Sequence, residues 1–147
     1  MEPANTWMVP VQIVLSDHDC EGQAEAIFKT LDQLGYSDWL PIRLCLFTDV
    51  RLHKSTDDEQ VWRFCQEYGY LLLTGNRTAS AGEESLERAI RRLVTPDSLP
   101  VLTISNLKRV NPDPDYRRRC AERLAEVIFD LDNYRGIPRL FLPGIAK

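Results

Sequence analysis

A three-layer α/β/α sandwich around a mostly parallel central sheet is the fold this sequence predicts, and three observations predict it. Short apolar runs recur at residues 9–16, 42–49, 70–74 and 100–104, the near-continuous pattern of strands covered on both faces. Longer segments of helical period separate them, as crossover connections between parallel strands require. No internal repeat, low-complexity tract or linker interrupts the 147 residues, so 1–147 is a single domain with one core.

The first run, 9–16, is bounded by Pro10 and an acidic turn. Ala24, Ile27, Phe28, Leu31 and Leu34 then share one helical face, and Gly35 is the stop signal. In PIRLCLFTDV, Ile42, Leu44 and Leu46 alternate with Arg43, Cys45 and Phe47, which predicts a strand ending at Asp49. Thr56 and Glu59 have capping-box spacing ahead of a stripe of Val61, Trp62, Cys65 and Tyr68 that Gly69 ends. A third strand covers 70–74, and after Gly75 the stretch NRTASAGEE is a loop. Leu86, Ala89, Ile90 and Leu93 mark a further helix, 100–104 a fourth strand and NPDPD a turn. The longest helix runs from Asp115 to about Asn133 with Tyr116, Cys120, Leu124, Val127, Ile128 and Leu131 inward. RLFLP adds an edge strand before Pro143.

Composition narrows the function. With a net charge of -4 there is no global basic footprint, so contact with nucleic acid requires a local patch. Two arginine sets offer one, Arg88, Arg91 and Arg92 and then Arg117, Arg118, Arg119 and Arg123, although Glu87 and Glu122 interrupt them. No cationic segment precedes the first apolar run, which is too short to cross a bilayer, and a cytoplasmic location away from membranes is expected. Cys20, Cys45, Cys65 and Cys120 include no CxxC pair, which predicts reduced, packed thiols rather than zinc ligands with His18 and His53.

The candidate chemistry lies where strands end. Parallel strands all exit on one edge, so Asp17, Asp19, Asp49 and Asn76 share it with Asp57 and Asp58 at a helix start. Gathered carboxylates repel, and a hard divalent cation, Mg2+ or Mn2+, relieves the repulsion. Such an ion polarises a phosphoryl oxygen and supplies the conditions for phosphodiester hydrolysis. Each acid also has a purely structural alternative: Asp57 or Asp58 as a helix cap, Asp17 and Asp19 as an Asx turn. His18, between the two aspartates, is a ligand or a solvated turn residue. In the segment TGNR, Thr74 and Arg77 frame a loop suited to a phosphate, without the lysine of a Walker loop.

The order strand, Asp, helix, followed by STDDEQVW and then YLLLTGNR, resembles the PIN-like domains, closest to a small group of unknown function related to toxin-antitoxin ribonucleases. The resemblance spans about residues 9–77. It implies a metal-dependent endoribonuclease in which Asp17 takes the first acidic position, Asp58 the second and Asn76 the third, where the family pattern has an Asp. Asp17, Asp58 and Asp19 are then the metal ligands, Asn76 completes the catalytic set, and Arg77 with Thr74 contacts substrate. The amide at Asn76 admits a second reading, a catalytically degenerate module that binds RNA or a protein partner. The resemblance also implies an antitoxin-like protein or a second copy as partner, covering Trp39, Phe141 or Leu142. A response-regulator-like receiver shares the early acids, but this chain lacks its later Asp and Lys.

Overall fold

The computed structural model describes residues 10–75 and 81–144, with only the backbone from 81 to 84. Its strands are β1 (Gln12–Ser16), β2 (Ile42–Cys45), β3 (Leu71–Gly75), β4 (Val101–Ile104) and β5 (Arg139–Leu142). They form one sheet in the order β2-β1-β3-β4-β5, and every neighbouring pair is parallel. The helices are α1 (Glu21–Gln33), α2 (Asp58–Tyr68), α3 (Ala81–Leu93), α4 (Leu107–Val110) and α5 (Pro114–Phe129).

Strand alternation divides the core between two faces. Val14, Leu71, Leu73, Leu102 and Ile104 point to one, where they meet Ala24, Ile27 and Leu31 of α1 and Cys120, Leu124 and Val127 of α5. Leu15, Leu72 and Val101 point to the other, against Val61, Trp62 and Cys65 of α2 and Leu86 and Ile90 of α3. The register puts Val14 opposite Leu71 and Leu73 opposite Leu102, so each apolar row continues across strands. β3 is buried along its whole length, which explains a run of three leucines with no polar alternation.

The helix arrangement has an unusual consequence for chain path. The connections from β2 to β3 and from β3 to β4 move toward β5 across the α2/α3 face, and that from β1 to β2 moves the other way across the opposite face. Those three share one hand. The connection from β4 to β5 moves toward β5 but carries α5 on the α1 face, so it winds with the opposite hand. Parallel crossovers are right-handed in about 98% of cases, which makes this last one exceptional.

Local chemistry shifts several expected boundaries. The second strand stops at Cys45 rather than Asp49, because 47–50 close into a 3-10 turn that buries Phe47. The cap of α2 is Asp57, whose Oδ1 accepts from the Gln60 amide at 2.9 Å; Thr56 instead donates to the His53 carbonyl. NPDPD is the junction of α4 and α5: Asp113 caps α5 by accepting from the Tyr116 amide, and Pro114 takes its first position. α5 ends at Phe129, and a 3-10 turn over 131–134 covers the rest of the predicted helix. Gly75 permits a close approach, since a Cβ there would lie 2.7 Å from Cδ2 of Leu107.

Candidate functional site

The helices that follow β1 and β3 lie on opposite faces, α1 on one and α3 on the other, and the carboxyl ends of such a strand pair are where open parallel sheets place their ligands. Asp17 stands at this point. Its amide donates to the Leu73 carbonyl at 2.8 Å, tying the end of β1 to β3, and its half-buried side chain caps a 3-10 turn over His18–Cys20. Oδ1 of Asp17 accepts from the His18 amide at 2.8 Å. Beneath it, the buried Cys20 thiol lies 3.5 Å from both the Ser16 hydroxyl and the Leu73 carbonyl.

Helix α2 runs back from this edge, so its first residue, Asp58, begins at the carboxyl side of the sheet, half-buried. The Cys65 thiol on the inner face of α2 is pushed far above its ordinary range, first by burial and second by the negative charge of Asp17. The adjacent acids have separate structural partners. Asp57 is the cap described above, and Oδ2 of Asp49 accepts from the Leu46 amide at 2.8 Å. Asp19 and His18 are exposed; the His18 ring stands 3.7 Å from Glu21 and 6.2 Å from Phe47. Thr74 is buried, with its hydroxyl 3.1 Å from that of Thr103, so it braces β3 against β4 rather than presenting its hydroxyl at the edge. Asn76 and Arg77 directly follow β3 in the sequence and lie outside the described residues.

Among the described residues, no three His, Cys, Asp or Glu side chains gather into a group able to hold a metal ion, so Asp17, Asp19 and Asp58 do not form such a trio. Comparison with protein-family models, curated proteins and solved structures gave no match. The geometry of this edge therefore carries the functional reading.

The arginines do not form the single strip the sequence suggests, because α3 and α5 cover opposite faces of the sheet. Arg91 pairs with Glu87 and Arg92 with Glu59 on one side. On the other, Arg117 donates to the Val110 and Asn111 carbonyls and closes the end of α4, while Arg118 pairs with Asp115 and Glu122. Arg119 and Arg123 instead line a cleft of about 610 Å³ at the carboxyl ends of β4 and β5, with Ser105, Asn106, Arg109 and Tyr116. Arg109 and Asn106 escape a sequence reading because four-residue α4 is too short to show a period; the one available signal was the Arg109–Asp113 spacing.

The apolar residues expected to meet a partner divide. Trp39 is 58% exposed and packs edge-on against Phe129 at the amino edge of the sheet, beside a groove of about 520 Å³. Phe141 is half-buried and Leu142 belongs to the core. Trp62 is core as well, not a surface for stacking a base. Cys20, Cys65 and Cys120 are buried free thiols, as a reduced packed set should be. No helix among the described residues is long and apolar enough to cross a membrane.

Proposed function

We propose that this chain is a PIN-like, metal-dependent ribonuclease-type domain that hydrolyses RNA phosphodiester bonds at the carboxyl ends of β1 and β3. The observation that carries the reading is the placement of Asp17: a half-buried carboxylate at the end of a central strand, hydrogen-bonded through its amide to β3 two residues before that strand ends. Asp58 comes to the same edge on the first turn of α2.

The donor set suits a hard cation. Asp17 and Asp58 would hold it through charged oxygens, with Asn76 as a neutral carbonyl donor; Asp19 does not join the two acids in a three-acid group among the described residues. When bound, Mg2+ or Mn2+ supplies Lewis acidity toward a phosphoryl oxygen. Asp17 is oriented for this by its turn, which fixes one oxygen on the His18 amide. Thr74 holds the end of β3 in place through Thr103, and Arg77 is assigned to the substrate phosphate. Purified protein incubated with labelled single-stranded RNA and Mn2+ should cleave it, and Asp17→Asn should not; equal product from both excludes this site.

A second reading has its own support in Asn76, which brings no charge to the third position, and in the absence of a three-acid group among the described residues. A degenerate module of this kind binds RNA without cutting it. RNA retained intact in Mn2+, with binding unchanged by Asp58→Ala, identifies that case.

A further inference from the structure

We infer that the cleft over β4 and β5 is a second, separate site that holds the phosphate backbone of the RNA strand. It rests on the reading above only for the identity of the polyanion. Three guanidinium groups enter it from two elements, Arg109 from α4 and Arg119 and Arg123 from α5. Tyr116 organises two of them: the carbon at the centre of the Arg109 guanidinium lies 4.5 Å from the ring centroid and that of Arg119 lies 5.5 Å from it, whereas Arg123 stands 5.7 Å from the centroid of the Tyr134 ring. The ring itself is fixed, because Tyr116 is buried and its hydroxyl accepts from the Asn106 amide at 2.8 Å. Two of the three cations are thus gathered onto one rigid support, with Arg123 held on a second ring.

Each arginine has a carboxylate partner, and these pairs leave capacity for a ligand. Arg109 pairs with Asp113 at 2.6 Å, Arg119 with Asp115 at 3.2 Å through Nε, and Arg123 with Glu126 at 3.5 Å. A guanidinium carries five N–H donors, and exposed pairs of this kind contribute little to stability, so a phosphate can share or displace them. Of the acids lining the cleft, Glu122 pairs with Arg118, which lies outside it, and Glu126 with Arg123; Asp113 and Asp115 are not part of the lining and pair with Arg109 and Arg119, so a phosphate enters by exchange with these carboxylates. Lining groups of this type contact phosphate rather than base edges, and the buried Tyr116 offers no open face for stacking, so the cleft positions a strand without reading its sequence.

Location completes the case. Between the end of β4 and that of β1 lies only β3, so two inter-strand spacings, roughly 10 Å, separate the cleft from Asp17. A strand held at one is presented to the other.

The test measures binding without cleavage. The full-length Asp17→Asn protein is titrated into a fluorescein-labelled single-stranded 12-mer RNA in EDTA, by anisotropy, at several salt concentrations. Replacing Arg109, Arg119 and Arg123 together by Gln should weaken binding at least tenfold and reduce the slope of log K against log salt by about 2, since each lost single-strand phosphate contact removes about 0.7. Arg123→Glu alone, at a site with the longest of the three pairings, should weaken binding severalfold and decides the matter if the triple variant does not fold. The double variant Arg91→Gln, Arg92→Gln, on the opposite face, should bind as before. Unchanged affinity and slope in the cleft variants, an equal loss in the α3 variant, or displacement of the RNA by polyglutamate of the same charge would each overturn the proposal. Because no metal is present, loss of hydrolysis in the earlier assay leaves this result intact.

Discussion

The carboxyl edge of the sheet has two halves of opposite character. Over β1 and β2 it carries Asp17, Asp19, Asp49, Asp57 and Asp58; over β4 and β5 it carries Arg109 and Arg119 on the Tyr116 ring with Arg123 beside them, each paired with a carboxylate. A net charge of -4 conceals this separation. Burial raises both Cys65 and Cys120; the charge of Asp17 adds to it at Cys65, whereas Arg119 and Arg109 work against it at Cys120 and leave it at about 12. A strand of phosphates meets cationic support on one half and, on the other, carboxylates that need a cation before a phosphate can approach. Sign segregation along one edge is therefore the physical basis of both proposals.

The sharpest way to break the comparison uses neighbours with different tasks. Asp58→Ala should reduce Mn2+-dependent RNA cleavage on the order of 100-fold, the scale seen when support of a metal site is lost. Asp57→Ala should do the converse, costing about 1 kcal/mol as the Gln60 amide loses its cap while cleavage persists. If the two variants swap phenotypes in parallel cleavage and melting experiments, the acids have been assigned to the wrong roles.

On the arginine half, Tyr116→Phe removes the acceptor of the Asn106 amide and should destabilise the fold by roughly 1–3 kcal/mol, measured by urea denaturation. It should also weaken RNA binding in EDTA, because the support of Arg109 and Arg119 loosens. A stable variant with undiminished affinity would separate the tyrosine from the cleft's function.

The smallest effect at working pH, and the most local, comes from the thiols. Both Cys65 and Cys120 are raised on folding, chiefly by burial, so the folded state holds protons that the unfolded state releases. The resulting stability is intact below about pH 9 and for Cys120 is lost as pH rises toward about 12. Thiolate absorbance during alkaline titration should show both thiols ionising above their ordinary range. Asp17→Asn should lower the Cys65 transition and Arg119→Gln should raise that of Cys120; shifts in the opposite directions would contradict the charge assignment of the two halves.

Much of the layer structure was legible because burial on both faces forces apolar runs, as in LLLTG, and because helix stripes such as Val61, Trp62 and Cys65 repeat at one period. Features set by tertiary contacts were not. Phe47 continues a strand pattern in sequence yet turns inward, because the Asp49 carboxylate accepts from the Leu46 amide and closes the chain into a turn. The cap is Asp57 rather than Thr56, whose hydroxyl is engaged by the His53 carbonyl in the preceding turn, a contact that spacing does not encode. Asp17 was visible as an acid after the first strand, whereas the arginine cleft was not, since Arg109 and Arg119 meet at one ring only after α4 and α5 pack. Nothing in the periodicity marks the reversed hand of the β4 to β5 crossover, which depends on which face α5 covers.

The most direct measurement is calorimetric titration of Mn2+ into the wild type, Asp17→Asn and Asp58→Ala, with folding of each verified by circular dichroism. The account predicts one saturable site in the wild type and its loss in both variants, since each removes one of two charged ligands to the same ion. Saturable uptake that persists unchanged in either folded variant would show that Asp17 and Asp58 do not share a cation, and would remove the chemical centre from this edge.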